Sequence, residues 1–140
     1  MSILSDIKAV CTAANPDYDV HYEEAYMMNV TADEIPIDKG FVYIEEFVTG
    51  KYEKEKFFRN KHVNMQVYFC KFIAHGSTAE QREAVRETIE SEILEGFMLE
   101  YNNSKKFEYV DTFNFVASLP RFDANEVSIL LQFECTKARC

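Results

Sequence analysis

At 140 residues, 47% hydrophobic and 14% aromatic, the chain can bury one core without disulfides or metals and is too apolar to stay unfolded. A single domain over 1–140 is expected. The net charge of -9 argues against a general binder of duplex DNA, which needs a basic surface.

Ser2 is a plausible cap, and Ile3, Leu4, Ile7, Val10, Cys11 and Ala14 trace an amphipathic helix. Asn15-Pro16-Asp17 stops it, because a residue before proline avoids the helical region. Residues 18–30, with Tyr18, Tyr22 and Tyr26, keep neither period and read as extended, with one short strand. Residues 33–40, with Pro36 and Gly40, are a turn. Residues 41–48 alternate with both faces apolar, as an interior strand does, and Glu45 and Glu46 stand near its end.

Residues 49–62 are too charged for a core and too aromatic for an ordinary loop. Lys51, Lys54, Lys56 and Arg59 alternate with Tyr52, Phe57 and Phe58. A protruding hairpin that contacts a neighbouring subunit is expected, since grouped exposed aromatics mark interfaces.

Residues 63–73 alternate as a strand. Ser77 and Glu80 fit a capping box for a helix over 77–101. Val85, Ile89, Ile93, Phe97 and Tyr101 give that helix an apolar stripe at a spacing of four. Gly96 on its buried edge would let the sheet approach closely. Its outer face is acidic: Glu80, Glu83, Glu87, Glu90, Glu92 and Glu95. Residues 107–117 and 126–136 alternate as two more strands, joined by a turn with Pro120. Ile89, Ile93 and Phe97 are expected to pack on Phe69, Phe113, Phe115, Ile129 and Leu131. The order α-β-β-α-β-β predicts an α+β fold, an antiparallel sheet packed by an N-terminal helix and one long central helix.

Catalytic motifs do not emerge. Glu45 and Glu46 are adjacent in a strand and point to opposite faces, so they cannot act together on one substrate. His21, His62 and His75 lack the spacing of a helical zinc site, and no C-x-x-C pair occurs among Cys11, Cys70, Cys135 and Cys140. Zinc through His75, Cys70 and a distant cysteine is the weak alternative to free thiols. The four glycines are isolated, so no phosphate loop is present, and no G-x-S-x-G elbow surrounds Ser77. No enzyme, metal or cofactor is expected. No stretch is apolar enough to span a membrane, and residues 1–10 lack a signal-peptide core, so no membrane role is expected.

Asn29-Val30-Thr31-Ala32-Asp33, Pro36, Phe41-Val42-Tyr43-Ile44-Glu45, the 63–73 strand and the capped helix follow one another in a recognisable order. In that order the chain resembles the small tail terminator and tail-completion proteins of long-tailed bacteriophages and prophages. The resemblance implies a structural virion protein assembled in the host bacterial cytoplasm. It implies a homo-oligomeric ring, a hexamer, at the head-proximal end of the tail. Its partners would be the tail tube protein and the head-completion or neck proteins, with DNA only as passing cargo. In such a ring Glu87, Glu90 and Glu95 either meet the cationic hairpin of a neighbour or face the channel. The alternatives are a small α+β ligand-binding or enzymatic domain, with a helix–sheet pocket lined by Tyr68, Tyr109 and the cysteines, and an adaptor that dimerises through a sheet edge.

Overall fold

The computed structural model describes residues 2–22, 39–45, 49–55, 58–73, 78–118 and 126–138, with residues 55, 58, 59 and 118 as backbone alone. Ser2 begins helix α1 (Ile3–Ala14), its hydroxyl accepting the Ser5 N–H at 3.1 Å. Asn15 turns extended ahead of Pro16 and ends it. Ile7, Val10 and Cys11 form its buried face.

The strands are β1 (Asp19–His21), β2 (Gly40–Ile44), β3 (Gly50–Glu55), β4 (Phe58–Phe72), β5 (Asn114–Ser118) and β6 (Glu126–Thr136). They form one sheet in the order β1-β2-β4-β6-β5, with β3 also paired to β4. The centre is β4, whose 15 residues bond to three strands. β6 takes one edge from His62 to Phe72; β3 and β2 share the other, end to end.

The α+β class holds, but the order of elements differs from expectation. Four described strands precede the long helix instead of two. The aromatic 18–30 stretch contributes β1, and the charged 49–62 stretch contributes β3 and the start of β4. The sheet is also not wholly antiparallel. β1 runs parallel to β2, with Asp19 beside Phe41 and His21 beside Tyr43. A parallel pair needs a connection of about a dozen residues or more, and β1 ends at His21 while β2 begins only at Gly40. All five residues of β2 are buried, as its two apolar faces require. Residues 46–48, 23–38 and 119–125, where the strand extension and the turns were expected, lie outside the described residues.

Helix α2 (Ala79–Ile89) is capped by Thr78, one residue later than expected. Thr78 Oγ1 accepts the Gln81 N–H at 3.2 Å, and Gln81 Oε1 accepts the Thr78 N–H at 2.8 Å. Ser77–Glu80 and Thr78–Gln81 both fit the capping pattern, and spacing alone does not choose between them. Ser77 is outside the described residues. A π turn, Glu90–Leu94, then joins α2 to α3 (Glu95–Asn103). The turn answers the spacing of the stripe. Four residues overshoot a helical turn by about 40°, so Val85 to Tyr101 would spiral off the core. One wide turn resets the phase and buries Ile93 and its neighbour Leu94 together. Gly96 packs on α1, not on the sheet: a Cβ there would meet the Ala14 Cβ at 3.5 Å, an ordinary contact.

Ile89, Ile93 and Phe97 share the core with Phe69, Ile129 and Leu131, as expected, with α1 covering the same side. The Phe69 and Phe97 rings stand 5.3 Å apart. Phe113 is only partly buried, and Phe115 is 69% exposed, so its assignment to the core is corrected. It lies on the outermost strand, β5. The expected strand over 107–117 is real only from Asn114. Before it, Phe107 stacks on Tyr101 at 4.7 Å, and the Asn102 amide bonds both the N–H and the C=O of Val110, at 2.9 and 3.1 Å. One side chain thus makes two bonds that a partner strand would make, and the backbone stays in a loop. The opposite face of the sheet buries Phe41, Tyr43, Tyr68, Cys70, Phe72 and Leu130.

Candidate interaction surface

The β3–β4 hairpin is anchored at its base. Gly50 is required there: a Cβ would collide with the His62 carbonyl oxygen. The Asn64 N–H donates to the Thr49 carbonyl at 3.1 Å, and its side-chain amide donates to the Thr49 hydroxyl at 3.0 Å. Register then runs outward from Lys51 opposite His62 to Glu55 opposite Phe58. β6 stops at His62, so over residues 58–61 β3 is the only described strand beside β4.

Opposed residues of an antiparallel pair share a face. Along β4, Val63, Met65, Val67 and Phe69 face the helices, while Tyr68, Cys70 and Phe72 face away. Tyr52, opposite Lys61, and Lys54, opposite Arg59, therefore stand on the helix side. Tyr52 is 67% exposed. Lys51 and Glu53 stand on the other side and join a charged cluster. Lys51 Nζ lies 3.0 Å from Glu53 and 3.7 Å from Glu134. The hydrogen bond to Glu53 pushes the Lys51 pKa up and the Glu53 pKa down. Nearly buried His62 lies 3.5 Å from each of Glu53 and Glu134, and its Nδ1 is 2.6 Å from the Thr136 hydroxyl. The expected cations are thus divided: Lys51 holds the hairpin to the sheet, and Lys54 is exposed. Lys56 and Phe57 lie outside the described residues, and Phe58 and Arg59 are placed by backbone only.

At the far edge of the sheet is a groove of about 250 Å³ between α3 and β5. Leu94, Met98, Phe113, Phe115, Ile129 and Leu131 line it, together with the exposed acids Glu90 and Glu95. Glu87 is exposed but does not line the groove. Two of the three expected acids are therefore brought together, beside an apolar surface that sequence reading had assigned to the core. The signal for it was present: Phe115, Val116 and Ala117 put apolar side chains on both faces of one short strand. Phe115 and Val116 are in fact 69% and 46% exposed. Tyr68 and Cys70 lie on the opposite face, Tyr109 is 71% exposed, and none of them lines the groove.

No protein-family model matches the chain, and no curated protein does. The site must therefore be judged by its own geometry.

Two further polar nodes tie elements together. Glu92 stays exposed, as expected, but in the π turn its carboxylate also reaches the sheet: Lys71 Nζ lies 2.6 Å away, and the Tyr18 hydroxyl donates to Glu92 at 2.8 Å. The Lys71 contact lowers the Glu92 pKa, while burial, followed by the Glu92 carboxylate, raises that of Tyr18. Asp6, buried in the first turn of α1, sits 3.5 Å from both Lys106 and Lys137. Among the described residues no three His, Cys, Asp or Glu side chains gather as metal ligands, and no helix is long and apolar enough to cross a membrane.

Proposed function

We propose that this protein forms a ring at the head-proximal end of a long phage tail, ending growth of the tail tube and joining the tail to the head-completion and neck proteins. It acts as a structural virion component, and no catalytic step is assigned to it. The observation that carries the reading is the β3–β4 hairpin, anchored at Gly50 and extending past the end of β6 with Tyr52 exposed. Ordering such a segment costs about 1–2 kcal/mol of backbone entropy per residue, and contact with a neighbouring subunit offsets it. An arm of one subunit on the body of the next is a heterologous contact, which closes into a ring or runs on as a filament. The exposed acids Glu80, Glu83 and Glu87, with the net charge of -9, suit a surface past which DNA slides without sticking.

The small-molecule reading is less well supported. A groove of about 250 Å³, with Phe115 largely in solvent, falls below the roughly 300–1,000 Å³ of typical ligand pockets. The test is native mass and negative-stain microscopy of the purified chain, then addition to tail tubes that lack their terminator. Closed rings seated on one tube end are expected. Replacing residues 51–59 by a short Gly/Ser turn should preserve the circular dichroism spectrum and abolish both. A wild-type chain that neither closes into rings nor binds tube ends refutes the proposal.

A further inference from the structure

We infer that the outer edge of β5 receives the β3 edge of a second copy of this chain, continuing the sheet between subunits and seating Tyr52 in the groove beside α3. This gives the ring proposed above its contact, and so rests on that reading. Four observations converge on a second copy as the occupant.

The first is the pair of edges. Among the described residues no strand bonds the outer side of β5 or of β3, and the two lie on opposite sides of the sheet. Their lengths match: five residues, Asn114–Ser118, against six, Gly50–Glu55. The second is composition. β5 (NFVAS) has no charge and no proline, the features by which edge strands usually resist pairing. β3 (GKYEKE) is charged, so it avoids indiscriminate pairing, and its cations need acids beside the edge it joins, which Glu90 and Glu95 of the groove supply next to β5.

The third is facing. A sheet that continues from subunit to subunit around a ring keeps its helix side on one side throughout. Tyr52 and Lys54 are on the helix side of β3. Phe115, opposite Leu131, is on the helix side of β5, where the groove opens. The fourth is charge. The groove's two acids, Glu90 and Glu95, stand where Lys54 of the incoming strand arrives, while the apolar lining takes the Tyr52 ring. Because β3 meets β5, the contact is head to tail, and each subunit keeps one edge of each kind for the next.

The experiment is sedimentation of the full chain and two variants, Tyr52→Ala and Phe115→Glu, each checked by circular dichroism. Each variant damages one half of the contact and leaves the other intact. The wild type should associate as concentration rises. Each variant should weaken that association by more than about tenfold, as loss of an aromatic anchor does. Mixed together, the two variants should form a 1:1 dimer that grows no further, since only one good hairpin and one good groove remain to meet. A charge exchange adds a check independent of folding: Lys54→Glu should weaken association, and Glu95→Lys on the same chain should restore part of it.

Variants that associate like the wild type overturn the inference. So does a variant mixture that stays monomeric, or a wild-type chain that stays monomeric or stops at a symmetric dimer. The tail-completion assay keeps the two ideas apart. Wild-type rings that form through this contact but do not seat on tubes refute the tail role alone. Variants that still assemble and complete tails refute this contact alone.

Discussion

Ile93→Ala tests whether the π turn serves to bury the stripe. Ile93 has no exposed surface and packs in the core with Phe69, Phe97 and Ile129. The substitution removes three carbon groups from a dry site, about 2.4 kcal/mol at about 0.8 kcal/mol each. Its neighbours are held by the sheet ladder and by α1, so the space cannot fully collapse. A residual cavity on the order of 50 Å³ adds about 1.2 kcal/mol. The expected loss is therefore about 3.6 kcal/mol, read from the urea midpoint at an unchanged slope. Leu99→Ala is the control, because Leu99 is 63% exposed six positions on, and it should stay within about 0.5 kcal/mol of wild type. An Ile93→Ala loss as small as that control would show that the stripe does not face the core.

Lys105 has φ of 62°, a left-handed position at the end of α3, so Lys105→Gly should raise stability by about 1 kcal/mol in the same urea assay; a decrease would count against that backbone conformation. Burial pushes Cys11 to about 12, Cys135 to about 11 and Cys70 well above its ordinary value. Of the four cysteines, no more than one should therefore react promptly with an aromatic disulfide reagent in the native protein at neutral pH, and all four in denaturant after reducing purification. Prompt native reaction of two would contradict that burial. The Glu92 carboxyl is held below its ordinary 4.5, chiefly by Lys71. Its contribution is present above 4.5 and is lost as pH falls through the lower, folded-state value. The stability gap between wild type and Glu92→Gln should accordingly shrink as pH is lowered below 4.5; a gap constant from pH 7 to pH 3 would remove Glu92 from this role.

Local chemistry was legible where it decides the structure. Ser2 and Asn15-Pro16 bound α1, and strict alternation found β6 from end to end. The parallel β1 was not legible, because three residues carry no period and their partner is chosen by a crossover. The helix stripe was read, but the π turn behind it was overlooked; the constant spacing of four was its trace. Residues 107–113 alternate like a strand, but pairing goes no further than the Phe107–Lys137 bridge, and the Asn102 amide takes the backbone groups of Val110. At the candidate surface, the charged hairpin announced itself by composition. The groove did not, because an apolar residue on an edge strand has the same pattern as one in the core.

The dominance of β4 also has a consequence for synthesis. The strand is complete once Phe72 leaves the ribosome, but its partner β6 ends only at Thr136, 136 − 72 = 64 residues later. At roughly 5–20 residues per second, that interval is about 3–13 s. Throughout it, the β4 edge that carries Met65, Val67 and Phe69 stands without its native partner. The nascent chain is therefore most prone to wrong pairing in those seconds, when only α1, already made, and the long helix, made in the same interval, are available to shield the face that Met65, Val67 and Phe69 present.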